Sequence, residues 1–322
     1  LYHEASYLEE KNEKKIIYFG ALLTISLSGC SIINGSKSEE LEEESFHEIA
    51  ENSTYTSTEM SLQDLSLESV GGGVVIDNEL YLSDEEAGKI NVYNESYELI
   101  DEIEQDSILS PTLLAGEGES LYIIDIGLKS ILHVDKQTHE IVETIPFPVE
   151  IHEPEFLSLV VKDTALFLTY DSNQEKMAHI FKIDLESKQV SEIGELFSGS
   201  IHEDEFGELY ALELGEHYKD NDSEGFESGE NSLYKVIDNK LVEEVELPYK
   251  LTALDFLLKD DHIITYTYFR HSVVRLDKQG NLIDSLATFD PDYVDYSPVL
   301  LEYNHDILVL GRQYDQIFKL SK

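Results

Sequence analysis

The sequence predicts an all-β fold, a β-propeller of six blades, each a four-stranded antiparallel sheet. Three observations predict it. From Gly71 onward, short runs of alternating apolar and polar residues follow one another with no long amphipathic helical pattern between them. The runs are separated by pairs such as Asp77-Asn78, Asp260-Asp261, Gln279-Gly280 and Asn304-His305, residue types that suit tight chain reversals. The runs also repeat. Six units anchored at Tyr81, Tyr122, Phe167, Tyr210, Ile264 and Leu308 lie 41, 45, 43, 54 and 44 residues apart, which leaves room for three or four strands in each.

The chain begins differently. Lys11, Lys14 and Lys15 precede an uncharged run over residues 16–27, which ends in small residues and the single cysteine, Cys30. A positive flank followed by about 12 apolar residues is the order of an export signal. A bilayer span needs roughly 20. Leu27, Ser28, Gly29 and Cys30 together resemble the lipobox of bacterial lipoproteins. That resemblance implies cleavage before Cys30, a diacylglyceryl group on its thiol, and a mature chain held in the lipid bilayer by N-terminal acyl chains, on the extracytoplasmic face of the cell membrane. Residues 1–29 are thus expected to be leader and lipoprotein signal peptide. Residues 30–58, rich in Ser and Glu and poor in apolar residues, are expected to be a lipidated, acidic, flexible tether. Residues 59–322 are expected to form the propeller.

Within the units the alternation has a physical purpose. In "KINVYN", Ile90 and Val92 flank polar Asn91. In "SILHVDK", Ile131 and His133 face away from Leu132 and Val134. A small sheet with two faces to cover packs against a neighbour on each side. The sixth unit ends at Lys322 with no outer strand, so a strand from the N-terminal side is expected to complete it and hide the open edge. Residues 61–69, "SLQDLSLES", alternate suitably for this. The rivals are a seven-bladed closure drawing on residues 49–66 and a non-propeller all-β fold. The phrases "VVRLDKQGNLI" and "ILHVDKQTHEIV" resemble six-bladed propeller lipoproteins and propellers of the NHL and YncE-like type.

The charge balance limits the partners. Sixty-seven acidic against 22 basic residues give a formal net charge of −45. Such a surface repels a phosphate backbone, so no nucleic-acid partner is expected. A basic polypeptide, a cationic surface or divalent cations suit it better. One cysteine excludes an intrachain disulfide framework, a Cys-based zinc cluster and a redox CxxC pair.

Candidate site residues are sparse. The long spacing in the fourth unit holds an insertion over residues 215–232. In it Asp220, Asp222, Glu224 and Glu230 surround Gly225 and resemble the first half of a calcium-binding EF-hand loop, with carboxylates at positions 1, 3 and 5 before a glycine at 6. Calcium is the cofactor this implies, although position 12 is Asn231 and position 8 is Glu227. "IHEPEF" and "IHEDEF" carry His152, Glu153, His202 and Glu203. An acid–base or metal site drawn from them, with His262 or His305, competes with solvent-facing turn histidines. Tyr293, Tyr296 and His202 are the candidate ligand-binding rim.

No G-x-S-x-G, H-E-x-x-H, P-loop or Rossmann glycine fingerprint is present. The sequence therefore favours a membrane-anchored binding or scaffold module for an extracellular protein, peptide or glycan over an enzyme. One alternative is a metal-dependent extracytoplasmic hydrolase or lactonase-like enzyme, with carboxylates, Asn or His from several blades converging on the axis. Another is a structural component of a cell-envelope assembly, which needs a contiguous apolar patch.

Overall fold

The computed structural model of the chain describes residues 55–322 except 149–154, 173–176, 198, 214–216, 220–225, 229–230, 248–252, 268–270 and 290–297. Six four-stranded antiparallel sheets and one two-stranded ribbon account for the strands among these residues. Blade 1 is β2 (Gly72–Ile76), β3 (Glu79–Asp84), β4 (Lys89–Tyr93) and β5 (Leu99–Glu104). Blade 2 is β6 (Pro111–Glu117), β7 (Ser120–Asp125), β8 (Ser130–Asp135) and β9 (Ile141–Pro146). Blade 3 is β10 (Glu155–Lys162), β11 (Ala165–Ser172), β12 (Met177–Asp184) and β13 (Val190–Leu196). Blade 4 is β14 (Gly199–Glu203), β15 (Leu209–Glu213), β18 (Asn231–Ile237) and β19 (Lys240–Leu247). Blade 5 is β20 (Ala253–Leu258), β21 (His262–Thr267), β22 (Ser272–Asp277) and β23 (Leu282–Thr288). In blade 6, β24 (Val299–Tyr303), β25 (Asp306–Gly311) and β26 (Gln316–Ser321) are joined by β1 (Thr56–Met60).

The ring closes through that last sheet. β1 lies antiparallel on β26, from Thr56 opposite Ser321 to Met60 opposite Ile317, so the N-terminal side supplies the outer strand and the blade count is six. The closing strand is not residues 61–69. That segment folds into turns, with Leu65 N donating to Ser61 O, Leu67 N to Leu62 O, and Ser66 at φ 56°. Its leucines serve another purpose: Leu65 and Leu67 are buried, and the Asn91 amide donates to the carbonyls of Leu65 and Ser66.

The innermost strands β2, β6, β10, β14, β20 and β24 are neighbours in that order, and β24 adjoins β2. Between blades the alternation is spent on burial. Leu121, Ile123, Leu132 and Val134 of blade 2 pack with Ile76, Tyr81, Ile90 and Val92 of blade 1, while Tyr122, Ile124 and Ile131 face the other way into a cluster holding Phe156 and Leu166 of blade 3. Blades 3 and 4 meet through Phe167, Ile180, Ile201 and Ala211, and blades 5 and 6 through Tyr266, Phe289, Leu300 and Val309.

Carboxylates lock the strand order. Asp84, at the end of β3, accepts from the amides of Glu68 and Ser69, which lead into β2. Asp125, at the end of β7, accepts from Leu109 and Ser110, which lead into β6. Glu213 does the same for Phe197 before β14. The reversals follow the residue types: Asp77, Asn78, Asn304 and His305 all have φ between 51° and 69°, the left-handed region where Asn and Asp cost least. Among the described residues no helix is long and apolar enough to cross a membrane.

Candidate functional site

The six innermost strands enclose an axial channel of about 300 Å³. Apolar residue types predominate in its lining, Val74, Leu113, Leu159, Val299 and Leu301 among them, but the surface they leave open is as polar as it is apolar. The "GGG" at residues 71–73 lets blade 1 close the ring this tightly. A Cβ on Gly73 would lie 2.8 Å from Leu301 Cδ1, and one on Gly72 would lie 2.9 Å from the Thr112 carbonyl.

One side of the channel is polar, and three blades build it: Ser158 from β10, His202 and Glu203 from β14, and Asp255 from β20. His202 Nε2 lies 2.5 Å from Asp255 Oδ1. Asp255 is only 2% exposed, so its carboxylate is held by protein groups rather than water. Its other oxygen accepts from the Leu300 amide of blade 6 at 2.7 Å, and its carbonyl accepts from Thr265 Oγ1. The pairing of β20 with β21 slips by one residue between Ala253 and Asp255, an irregularity that sets the height of this carboxylate. The His202 ring stands edge-on to Phe256, centroids 5.0 Å apart. With a carboxylate as partner, Nε2 is the donor, and in the neutral ring Nδ1 is then the acceptor nitrogen.

Two further groups frame the channel. Lys162 pairs with Glu203 at 3.3 Å where the innermost strands end. Arg312, in the turn after β25, donates through Nη1 to the Phe156 carbonyl at 3.0 Å. Blades 3 and 6 lie opposite each other in the ring, so this guanidinium spans the axis where the innermost strands begin.

A second constellation lies on the outer edge of blade 3. His179 of β12 has Nδ1 2.6 Å from Glu192 Oε1 and 3.9 Å from Glu195 Oε1, both on β13. All three ligand atoms fall within 4.8 Å of one another, a geometry able to coordinate a metal ion. Glu192 and Glu195 differ in strand parity and would ordinarily point to opposite faces. A bulge prevents it: Ile180 pairs with Gly194 but Phe181 pairs with Glu192, so Ile193 is the extra residue and both glutamates share the face of His179. Among the described residues this is the only group of three such ligands, and none of it lines the axial channel.

The expected site residues meet different fates. His202 lies on an innermost strand, not in a solvent-facing turn, and sits at the axis. His262 pairs with Asp261 at the exposed start of β21, and His305 occupies the β24–β25 turn; neither lines the channel. His133 stacks on Tyr122 with centroids 4.6 Å apart and bonds Ser120, and burial pulls its imidazole below the ordinary value. The insertion in blade 4 forms a ribbon of β16 (His217–Lys219) and β17 (Phe226–Ser228), so strands rather than helices flank the acidic tip. Asp220, Asp222, Glu224, Glu230, His152, Tyr293, Tyr296 and Leu27 to Cys30 lie outside the described residues. Sequence reasoning passed over Asp255, whose only signal is a lone acid in the apolar run "LTALDFLL". It also passed over His179, Glu192 and Glu195, whose signal is Gly194 inside a strand pattern.

No protein-family model matches the chain, and no curated protein matches it. Solved structures do. A nidogen/laminin complex is matched at 14% identity with a TM-score of 0.52, over 68% of this chain and 80% of that one. The virginiamycin B lyase of Staphylococcus aureus is matched at 12% identity and 0.53, over 83% and 99%. The hydrazine synthase of Kuenenia stuttgartiensis is matched at 10% and 0.52, over 80% and 96%. Identities this low establish the shared propeller fold alone. That fold serves both a protein–protein complex and a lyase among these structures. The expectation that binding is favoured over catalysis is corrected: it rested on the lack of any concentrated catalytic signature, whereas a His/Glu triad able to coordinate a metal ion is assembled in a fold that solved lyases use.

Proposed function

We propose that the chain is an extracytoplasmic enzyme that opens esters or lactones in its axial channel, with His202 moving the proton and Asp255 orienting it. One observation carries this reading: a histidine held at 2.5 Å by a buried carboxylate, on one side of a channel lined elsewhere mainly by apolar residue types. The apolar side chains of the lining suit the body of an ester or lactone, and the polar side meets its reactive carbonyl. His202 Nδ1 takes a proton from water, the resulting hydroxide adds to the carbonyl carbon, and the departing alkoxide recovers the proton from the imidazolium. Asp255 holds the productive tautomer and stabilises the imidazolium while it exists. The lyase of Staphylococcus aureus adds support, since a histidine-to-alanine variant of that enzyme is catalytically inactive. The lipobox resemblance of Leu27 to Cys30 supports work at the outer face of the membrane.

The test is turnover of a panel of chromogenic esters and lactones by the purified chain. His202→Ala is expected to lower kcat by about 10²–10⁴-fold. A variant that turns over as fast as the parent contradicts the reading. The second reading is a binding module for an extracellular protein, peptide or glycan, supported by the likeness to the nidogen/laminin structure. No turnover across the panel, with a protein or glycan ligand retained on the axial face, favours it.

A further inference from the structure

Separately from the axial channel, we propose that His179, Glu192 and Glu195 bind a divalent transition ion of the zinc class at the outer edge of blade 3. The donor set selects the metal. One imidazole nitrogen and two carboxylates are what zinc takes at about 2.0–2.2 Å, with water completing four-coordination. Calcium needs six to eight oxygens and has no use for the nitrogen.

The geometry is close to what such an ion requires. The spacings of 2.6 and 3.9 Å bracket the roughly 3.4 Å between ligand atoms of a tetrahedral zinc site, so small χ rotations of two partly exposed glutamates complete it. The histidine is the fixed member: its side chain is 15% exposed and stacks on Phe181 at a 20° interplanar angle. The bulge that aligns the glutamates is fixed by packing as well. A Cβ on Gly194 would meet Leu241 Cδ1 at 2.5 Å, so β13 is pressed against β19 of blade 4 at that point. Two carboxylates drawn to one face of an already acidic protein repel each other, and a dication relieves that repulsion. The coordination position left to solvent makes this an open site.

The experiment is calorimetric titration of the full chain with zinc chloride, with calcium chloride as control and cobalt(II) as a spectroscopic probe. The expected result is one zinc site per chain, a visible cobalt band of low-coordinate type, and a rise in Tm with zinc that calcium does not produce. His179→Ala is expected to remove the site and the cobalt band, and Glu195→Gln to weaken it about tenfold or more. Glu195 is exposed, so the second variant reads the site even if the first disturbs the blade. Zinc uptake that is absent, equalled by calcium, or unchanged in Glu195→Gln and in folded His179→Ala overturns the proposal.

Discussion

Asp84 has no solvent exposure, and its carboxylate accepts from the amides of Glu68, Ser69 and Ala87 and from Ser69 Oγ. Replacing it with Ala strands the two buried donors of Ser69 and two partly buried amides at once. The expected cost is about 3 kcal/mol or more, which for a domain of this size lowers Tm by roughly 6–12 °C; thermal denaturation measures it. Asp125 and Glu213 occupy the corresponding places in their own blades, so the same carboxylate recurs as part of the repeat. Legibility at this scale depends on how far a residue's partners lie along the chain. Asp77-Asn78 and Asn304-His305 were readable because a left-handed backbone favours particular residue types locally. His202 stood out within "IHEDEF", but its meaning comes from Asp255, 53 residues away. Nothing local to either residue announces that pairing.

At the scale of strands, all six anchors fall in the second strand of a blade: β3, β7, β11, β15, β21 and β25. The period was legible because each unit buries two faces against neighbours, and that demand leaves alternation in the sequence. The closing strand was not. Thr56–Met60 is an outer strand with four exposed residues, so it has no apolar face to show and reads as part of a polar tether. Residues 61–69 look more like a strand because Leu65 and Leu67 are buried, but as a turn plugged against blade 1. Bulges are the other feature that period-two reasoning loses. Outer strands slip by one residue in blades 1 to 4, at Ile100, Val142, Ile193 and Glu244, and twice in blade 5, at Ile283 and Leu286. In blade 3 alone among these does the slip gather a histidine and two glutamates into one group.

For the whole molecule, a net charge of −45 and a ring of six blades leave an axis lined mainly by apolar residue types, with one polar side, inside an acidic exterior. Apolar, neutral or cationic compounds are the ones this field admits. Anchoring is tested directly: metabolic labelling with a palmitate analogue should mark the parent protein, and Cys30→Ala should abolish the mark. Label retained by the variant would show that the acyl chain is not on Cys30. The central claim is that the tautomer imposed by Asp255 makes His202 Nδ1 the working base. Asp255→Asn tests it most directly, because the amide oxygen can still accept from Leu300 while the amide nitrogen donates to His202 Nε2 and moves the ring proton to Nδ1. The measurement is kcat of the Asp255→Asn variant on an ester or lactone the parent turns over, with Tm recorded alongside. A fall of about 10²–10⁴-fold at nearly unchanged Tm is the predicted result; a kcat within about twofold of the parent would contradict the account.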